Sequence, residues 1–423
     1  MDKLVIEGGH ALNGDVQVSG AKNAALPLLF ATILTDKDVE LSNIPDLADI
    51  DTTFKMLEHL GVQSDYHHQS HSARINAARI NTQEAPYELV RTMRASVLVL
   101  GPLLARFGRA RVSLPGGCSI GARPVNLHLT ALEQMGATIE IESGYINAQA
   151  PRLTGATIRF PIISVGATEN TLMAASLAQG HTVIENAARE PEIVDLVRLL
   201  RSMGAKIKGE GTHTIHIEGV NSLGAAKHPI IADRIEAGTY VAAVSITGGR
   251  IRLPGVPASL MQSTLDLFES AGLGIKADEA GIEAWRDGDR PLRGVDVTTK
   301  EFPAFPTDMQ AQFMAAMCFA EGSSTIVENI FENRFMHVPE LCRLGADISI
   351  QGNTAIVRGK GLRSLSGATT MATDLRASAS LVLAGLGARG ETSVRRVYHL
   401  DRGYEKMERK LSEVGAHIRR QQE

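Results

Sequence analysis

The sequence of 423 residues predicts an α/β protein of two domains, each built from three copies of one α/β unit. Three observations lead to this prediction: a glycine signature that recurs along the chain, segments that are apolar on every side, and short segments of alternating polarity. A chain of this length is too long for one ordinary hydrophobic core, which suggests two domains of about 200 residues each.

The glycine signature places one glycine between two hydrophobic residues at six positions, with successive glycines 68 to 75 residues apart. These glycines are Gly61, Gly136, Gly204, Gly272, Gly345 and Gly415. Glycine is the residue expected just after a helix C-terminus, where the backbone turns left-handed. A period of about 70 residues over the whole length therefore indicates one supersecondary unit used six times.

Each unit contains two kinds of helix. The first kind is apolar nearly all round and must be buried; these segments are residues 24–34, 95–105, 171–178, 240–247, 313–320 and 377–386. The second kind is amphipathic, as in residues 54–60 and 193–203, and keeps one face in water. Residues 73–80, 212–217 and 354–358 alternate in polarity and predict half-exposed strands. Together the elements indicate helices buried inside sheets.

Composition excludes several classes of protein. Lys and Arg number 43 against 47 Asp and Glu, and aromatic residues make up 4% of the chain, whereas a nucleic-acid groove needs clustered basic and stacking residues. The longest apolar run, residues 95–105, is far shorter than the roughly 20 residues that span a bilayer. Three cysteines without a CxxC pair indicate a reducing compartment. We therefore expect a cytoplasmic protein without a nucleic-acid or membrane partner.

One cysteine lies in a pattern typical of a functional thiol. In residues 112–127, Cys118 stands between glycines, and Arg123 follows five residues later. Backbone without Cβ atoms can approach a ligand closely, and a nearby guanidinium lowers the pKa of a thiol or binds an anion. Cys318 and Cys342 fall in apolar and amphipathic helical patterns, so we expect both in the core.

Cations stand at the starts of the apolar helices, where the helix dipole disfavours positive charge. They are Lys22, Arg94, Arg234 and Arg376. An anionic ligand would compensate for both the charge and the dipole. Nearby Ser, Thr and Asp residues are expected to cap these helices. Asp233 and Glu236 have the spacing of a capping box. Thr307 and Gln310 have the same spacing.

Eight motifs, in this order along essentially the whole chain, resemble those of the enolpyruvyl transferases. They are Ser19-Gly-Ala-Lys-Asn23, Leu114-Pro-Gly-Gly-Cys-Ser-Ile-Gly-Ala-Arg-Pro124, Ser164-Val-Gly-Ala-Thr168, Arg189-Glu-Pro-Glu192, Phe305-Pro-Thr-Asp-Met-Gln310, Phe331-Glu-Asn-Arg-Phe335, Thr373-Asp-Leu-Arg-Ala-Ser378 and Asp401-Arg-Gly-Tyr404. The resemblance implies a two-domain inside-out α/β barrel, which agrees with the six units. It implies that residues 22–231 form the first domain, and that residues 1–21 join residues 232–423 in the second.

The resemblance also implies an activity. The enolpyruvyl group of phosphoenolpyruvate would pass to the 3′-hydroxyl of UDP-N-acetylglucosamine by addition and elimination, with release of phosphate, as the first committed step of peptidoglycan precursor synthesis. No cofactor and no metal ion are implied. At matching positions Cys118 is the expected proton donor and Asp308 the expected base. Lys22, Arg123 and Arg402 are expected to hold the phosphate and the carboxylate.

Other matching positions imply contacts with the nucleotide sugar. They are Asn23, Arg94, Arg123, Pro124, Val125, Asn126, Leu127, Ser164, Val165, Gly166, Asp308 and Ile330. Two roles remain possible for Arg334 and Arg376. They could be cations that support the substrate site, or they could form salt bridges on the surface. Many relatives have aspartate where this chain has Asn126, and some have lysine at Ile162, so a contact based on charge is not expected at either position.

Two alternative functions remain. An enolpyruvyl transferase that acts on shikimate 3-phosphate uses the same chemistry, although the Gly-Gly-Cys118 loop argues against it. A non-catalytic scaffold of repeats is also consistent with six units, but the cations at the helix starts disfavour it. The histidines of residues 67–71 resemble a metal cluster, yet they lie in a polar segment that we expect to be a solvated loop.

Overall fold

A computed structural model describes residues 2–115, 125–287 and 290–422. Within these residues the chain divides into two compact units. The N-terminal unit contains residues 20–115 and 125–231, and the C-terminal unit contains residues 2–19 and 232–422. The sequence-predicted residues Cys118, Arg123 and Pro124 lie outside the described residues.

The strands are short, as half-exposed strands with alternating polarity should be. They are β1 (Asp2–Glu7), β2 (Leu12–Asp15), β3 (Asp38–Ser42), β4 (Gln63–His67), β5 (Ser72–Asn76), β6 (Glu84–Ala85), β7 (Arg109–Ser113), β8 (Thr138–Glu142), β9 (Tyr145–Gln149), β10 (Thr157–Arg159), β11 (His181–Glu185), β12 (Lys206–Lys208), β13 (Thr214–Glu218), β14 (Ala226–Pro229), β15 (Gly249–Pro254), β16 (Gly274–Ala277), β17 (Gly281–Arg286), β18 (Val297–Thr298), β19 (Glu321–Val327), β20 (Ile348–Gln351), β21 (Thr354–Lys360), β22 (Thr369–Met371), β23 (Glu391–Arg395) and β24 (His417–Gln422).

In the described residues these strands form six four-stranded sheets, three in each unit, that share one pairing scheme. A short edge strand pairs in parallel with its neighbour, and the next two pairings are antiparallel. The N-terminal unit has the orders β14-β3-β5-β4, β6-β7-β9-β8 and β10-β11-β13-β12. The C-terminal unit has β2-β15-β17-β16, β18-β19-β21-β20 and β22-β23-β1-β24. The repeat predicted from the glycines is thus confirmed as a repeat of sheets.

Residues 2–15 complete two sheets of the C-terminal unit. Strand β1 lies between β23 and β24, with Lys3 opposite both Arg395 and Gln421, and β2 pairs in parallel with β15. Leu4, Val5 and Ile6 are buried in this position. The first strand of the chain is therefore an inner strand of the last sheet.

Helices lie between the strands. They are α1 (Lys22–Ala31), α2 (Ala48–His59), α3 (Tyr87–Val90), α4 (Leu100–Phe107), α5 (Asn126–Gln134), α6 (Val165–Ala175), α7 (Pro191–Ser202), α8 (Arg234–Thr247), α9 (Gln262–Ser270), α10 (Gln310–Met317), α11 (Val338–Arg343), α12 (Leu375–Gly387) and α13 (Met407–Glu413). Short 3₁₀ segments of one or two turns cover Thr32–Leu34, His68–Ser70, Arg94–Val99, Ala258–Leu260, Thr307–Met309 and Val397–Arg402.

The predicted division into buried and amphipathic helices is confirmed. Helix α8 is buried at every residue from Arg234 to Ile246, and α6, α10 and α12 are buried almost as completely, whereas α2 and α7 keep polar residues in water. All six signature glycines have φ between 93° and 106°, the left-handed backbone expected after a helix. No helix in the described part of the chain is long and apolar enough to cross a membrane.

Three local predictions fail or hold only in part. Asp233 caps α8 by accepting from the backbone N–H groups of Ile235 and Glu236, but the Glu236 carboxylate turns away to accept from the N–H of Ser19. Thr307 does not form a capping box, because its hydroxyl donates to Glu328. Cys318 is buried as expected, and burial raises the pKa of its thiol to about 12, but Cys342 is exposed.

Candidate functional site

Asp308 lies between two buried guanidinium groups in the C-terminal unit. Its Oδ1 is 2.7 Å from Arg334 Nη2, and its Oδ2 is 2.7 Å from Arg376 Nη2. The Asp308 side chain is 25% exposed, whereas the arginine side chains are 7% and 4% exposed. Arg334 and Arg376 are therefore buried partners of Asp308 and not exposed surface residues.

Arg376 is held from several directions at the start of α12. Asp374 caps this helix and accepts from the backbone N–H of Arg376, while Arg376 Nη1 donates to the Tyr404 hydroxyl at 3.1 Å. The same hydroxyl accepts from Gln312 Nε2 and lies 3.0 Å from the Thr239 hydroxyl. This network of buried side chains fixes the plane of the guanidinium group before any ligand is present. Sequence reasoning missed the role of Tyr404, although it lies in one of the eight motifs.

The charges around Asp308 determine its protonation state. Burial acts to raise the pKa of the Asp308 carboxyl, but the charges of Arg376 and Arg334 outweigh burial and hold that pKa well below its ordinary value. Burial likewise acts to lower the pKa of Arg376, and the Asp308 carboxylate more than reverses this effect. Asp308 is thus an anion at any physiological pH, and its outward part remains accessible to a ligand.

Glu328 connects the loops that carry two predicted site residues. Its buried carboxylate accepts from the hydroxyls of Thr299 and Thr307, both at 2.9 Å. It also accepts from the backbone N–H of Ile330 at 2.9 Å and of Phe331 at 3.2 Å. One carboxylate thereby fixes both the turn that presents Asp308 and the loop that runs from Ile330 to Arg334. No local pattern reveals Glu328, because its hydroxyl partners lie 29 and 21 residues away.

Arg402 is a second predicted site residue of the C-terminal unit. It lies at the end of the 3₁₀ segment Val397–Arg402 and is half-buried. Its neighbour Asp401 accepts two hydrogen bonds from Arg420, at 2.6 and 2.9 Å, which hold the turn against β24. Burial, and then the charge of Arg402, lower the pKa of His399. His399 therefore adds no second positive charge beside Arg402 near neutral pH.

The N-terminal unit brings Lys22, Asn23 and Arg94 to the starts of packed elements. Lys22 and Asn23 open α1, and Arg94 opens the 3₁₀ turn Arg94–Val99, which packs against α1 and α6. Lys22 Nζ lies 3.0 Å from Asp49 Oδ2 in a buried ion pair. The Asp49 carboxylate thus compensates part of the positive charge of Lys22. The sequence prediction assigned this compensation to an anionic ligand alone.

Buried hydrogen bonds connect the first turn of α5 with the middle of α6 and the start of α4. His128 Nδ1 lies 3.0 Å from Asn170 Nδ2, and Asn170 Oδ1 accepts from the backbone N–H of Gly101. A Cβ atom on Gly166 would lie 3.2 Å from His128 Cε1, so only a glycine leaves ordinary space there. Ser164 caps α6 by accepting from the N–H of Ala167.

Helices α5 and α6 pack against each other, and Gly166 at the start of α6 lies against His128 in the first turn of α5. Two sets of predicted site residues precede or open these two helices; they are Val125, Asn126, Leu127, Ser164, Val165 and Gly166. Ile162 is among the exposed large hydrophobic residues.

A cluster of carboxyl groups lies along α6 and the start of α7. Glu169 is buried in α6, and Glu190 and Glu192 are buried at the start of α7. Burial first, and then the charges of Glu192 and Glu190, raise the pKa of Glu169 well above its ordinary value. Glu169 is therefore held toward its neutral form, the opposite of Asp308.

Comparison with known proteins identifies the family. A family profile described as EPSP synthase (3-phosphoshikimate 1-carboxyvinyltransferase) matches residues 6–411. The chain is 59% identical over 421 residues to a UDP-N-acetylglucosamine 1-carboxyvinyltransferase of Solidesulfovibrio magneticus, with 99% of this chain and 100% of the relative covered. It is 57% identical over 423 residues to the protein of the same name from Desulfovibrio desulfuricans, with both chains covered completely.

A solved structure agrees with this assignment. The enolpyruvyl transferase NikO from Streptomyces tendae superimposes with a TM-score of 0.89 at 27% identity, over 99% of this chain and 98% of that chain.

Proposed function

We infer the function of this chain from one premise, that it belongs to the EPSP synthase family. Within this family, we propose that it transfers the enolpyruvyl group of phosphoenolpyruvate to the 3′-hydroxyl of UDP-N-acetylglucosamine and releases phosphate. The observation that carries the proposal is the identity of 57–59% over the full chain with relatives named for this acceptor. A likeness of this extent does not support a non-catalytic scaffold.

The reaction that we propose has two steps. In the addition, the 3′-oxygen of the sugar bonds to C2 of phosphoenolpyruvate, C3 gains a proton, and the hydroxyl loses its own proton. In the elimination, C3 loses a proton and the bond from C2 to the phosphate oxygen breaks, which restores the double bond. Each step needs a positioned proton donor and a positioned acceptor. We assign the donor role to Cys118 and the acceptor role to Asp308.

The surroundings of Asp308 support its assignment as an acceptor of an unusual kind. A carboxylate with a lowered pKa is a weak base toward an ordinary alcohol, but it is always deprotonated and therefore always ready to accept. The hydroxyl becomes much more acidic as its oxygen bonds to C2. Proton transfer to Asp308 therefore accompanies bond formation, and the two arginines keep the carboxylate aimed at the hydroxyl throughout.

The cations bind the anionic parts of the substrates in this proposal. Lys22, Arg123 and Arg402 hold the phosphate and carboxylate of phosphoenolpyruvate, because guanidinium and ammonium groups stabilise the negative charge that develops as phosphate leaves. Contacts with the nucleotide sugar fall to Asn23, Arg94, Pro124, Val125, Asn126, Leu127, Ser164, Val165, Gly166 and Ile330. Arg334 and Arg376 act on the substrate through Asp308.

A product assay tests the proposed acceptor. The purified chain is mixed with phosphoenolpyruvate and either UDP-N-acetylglucosamine or shikimate 3-phosphate, and released phosphate and product mass are measured together. We expect stoichiometric phosphate and an enolpyruvyl ether with the nucleotide sugar alone. Product from shikimate 3-phosphate would reassign the acceptor, and phosphate without an ether product would show hydrolysis instead of transfer.

A labelling experiment tests the proposed donor. An epoxide that mimics phosphoenolpyruvate should alkylate Cys118 and abolish turnover, and the Cys118→Ser chain should resist the label. The other two thiols provide controls, since Cys318 is buried with a pKa raised to about 12 and Cys342 is exposed. A label on Cys342 at the same rate would show mere accessibility, and would contradict the assignment of Cys118.

A further inference from the structure

A cluster of three metal-binding side chains lies at the ends of two strands in the C-terminal unit. Glu7 ends β1, His10 follows in the next turn, and His417 begins β24. One ligand atom from each residue lies within 4.8 Å of the other two. His417 Nδ1 is 3.5 Å from Glu7 Oε2, and His10 Nε2 is 3.9 Å from Glu7 Oε1. None of these residues belongs to the groups assigned to enolpyruvyl transfer.

The backbone fixes the positions of these three residues. Glu7 and His417 are direct partners in the pairing of β1 with β24. The turn after β1 is fixed by the N–H of Gly8, which donates to Gly390 O at 3.2 Å, and the N–H of Gly9, which donates to Leu386 O at 2.8 Å. Gly9 has φ of 95°, a left-handed conformation that reverses the chain. As a result the His10 ring stacks on the His417 ring, with centroids 3.6 Å apart.

The distances approach those of a tetrahedral metal site. Ligand atoms about 2.0–2.2 Å from a Zn²⁺ ion at tetrahedral angles are roughly 3.3–3.6 Å from one another. His417 Nδ1 already lies at this separation from Oε2 of Glu7, whereas His10 Nε2 lies 3.9 Å from the other oxygen, Oε1. To hold one ion, the carboxylate must therefore turn or bind through both oxygens. The two rings stack at an interplanar angle of 20°, so they must turn substantially for their in-plane nitrogen lone pairs to converge on one ion. All three side chains are at least one-third exposed, so rotation meets little resistance.

A second carboxylate, which could supply a fourth ligand, already accepts a hydrogen bond. Glu391 faces Glu7 from the other side of β1, and it accepts a hydrogen bond from Arg419 at 3.2 Å. It therefore does not complete the ligand set, and water molecules must fill the remaining positions on an ion. Two imidazoles and one carboxylate form a donor set that suits Zn²⁺, Ni²⁺ or Cu²⁺, whereas Mg²⁺ and Ca²⁺ prefer oxygen ligands alone.

We propose that Glu7, His10 and His417 bind one divalent transition-metal ion of the Zn²⁺ type. The ion would join the first strand of the chain to the last. Because the three ligands come together only in the folded chain, binding stabilises the folded state by linkage and raises its melting temperature.

Titration of the purified full chain with Co²⁺ and Zn²⁺ tests the site. We expect one Co²⁺ ion per chain with the visible absorption of a tetrahedral nitrogen and oxygen site, displaced by Zn²⁺. Loss of an outer partner of a metal ligand already costs about 10–100-fold in affinity, so His10→Gln and His417→Gln should each weaken binding by at least tenfold. Zn²⁺ should raise the melting temperature of the unaltered chain and fail to raise that of His417→Gln.

His68→Gln is the matched control. His68 is also exposed beside a carboxylate, with its Nδ1 3.0 Å from Asp46 Oδ1, but it belongs to no three-ligand group in the described residues. This variant should bind Co²⁺ like the unaltered chain. Unchanged binding in the double variant of His10 and His417, or an intense thiolate-to-Co²⁺ absorption that indicates cysteine ligands, would overturn the proposal. Circular dichroism of each variant confirms that loss of binding is not loss of fold.

Discussion

Two carboxyl groups, one in each unit, have pKa values that are shifted in opposite directions. Asp308 precedes the buried helix α10 and lies between two guanidinium groups, which hold its pKa well below the ordinary value. Glu169 lies in the buried helix α6, where burial and two neighbouring carboxylates raise its pKa. Burial acts in the same direction on both groups. The neighbouring charges, and not the depth of burial, therefore decide which of the two carboxyl groups is held as an anion.

The largest effect should follow removal of the Asp308 charge. Asp308→Asn retains the shape of the side chain but leaves two buried arginines without their counter-charge. We expect turnover to fall by about 10²–10⁴-fold, the usual contribution of a positioned base, and the free energy of unfolding to fall by about 2–4 kcal/mol. Steady-state kinetics and denaturant unfolding measure the two effects.

The pH dependence of this variant checks the cause. A depressed carboxyl pKa gives stability that is present above the unfolded value of about 3.9 and is lost as pH falls through the folded pKa. The difference between the unaltered chain and Asp308→Asn should therefore shrink in acid. Asp347→Asn is the control, because it breaks the exposed ion pair with Arg358 and should cost less than about 1 kcal/mol. Equal losses for the two variants would contradict the role of burial.

Arg402 of the C-terminal unit and Arg94 of the N-terminal unit should have different roles. Arg402→Ala should remove stabilisation of the developing charge, on the order of 2–4 kcal/mol, and so lower kcat with little change in affinity for UDP-N-acetylglucosamine. Arg94→Ala should chiefly weaken binding of the nucleotide sugar. Steady-state kinetics and calorimetric titration of both variants decide between these roles. The reverse pattern would show that the two roles are exchanged.

Substitution of Glu328 should have a smaller effect on stability and turnover. Glu328→Gln replaces one accepting oxygen by an amide that donates, so the hydroxyl of Thr307 must reorient or lose its partner. We expect a loss of about 1–3 kcal/mol in unfolding free energy, together with lower kcat, because the turn that carries Asp308 loosens. Glu332→Gln, at an exposed position of the same loop, should change neither quantity. If lower kcat appeared without any loss of stability, Glu328 would have a role other than positioning.

Removal of the Glu169 carboxyl should have the opposite effect on stability. A raised pKa means that the Glu169 contribution to stability is complete below the unfolded value of about 4.3 and is lost as pH rises through the folded pKa. Glu169→Gln should therefore become more stable relative to the unaltered chain as pH rises, by up to about 1.4 kcal/mol per pH unit in that window. Glu133→Gln, at an exposed position of α5, is the control. A constant difference across pH would show that Glu169 is ionised in the folded chain.

The sequence predicted the fold to the level of its repeat. The six glycines, the all-apolar helices and the alternating strands are local patterns, and each is confirmed because secondary structure and burial follow local periodicity. Predictions from local patterns were wrong where a side chain bonds to a residue far away in the sequence. Thr307 and Gln310 have capping-box spacing, yet the Thr307 hydroxyl bonds to Glu328, 21 residues away.

In the candidate site, too, partners that are distant in the sequence could not be predicted from local patterns. Positive charge at the start of α12 was visible in the sequence, but its internal partner Asp308 lies 68 residues away from Arg376. Amphipathic periodicity placed Cys342 in the core, whereas α11 is only six residues long and leaves this side chain in water. The motif resemblance located candidate residues, and only three-dimensional geometry shows which of them hold one another in place.

The position of β1 has a consequence for synthesis on the ribosome. Its buried residues Leu4, Val5 and Ile6 are made long before their partners on β23 and β24, which begin at Glu391 and end at Gln422. At roughly 5–20 residues per second, the nascent strand waits on the order of 20–80 s for these partners. During this interval the strand is an exposed apolar segment, so it is a ready target for chaperones and for misassembly between nascent chains.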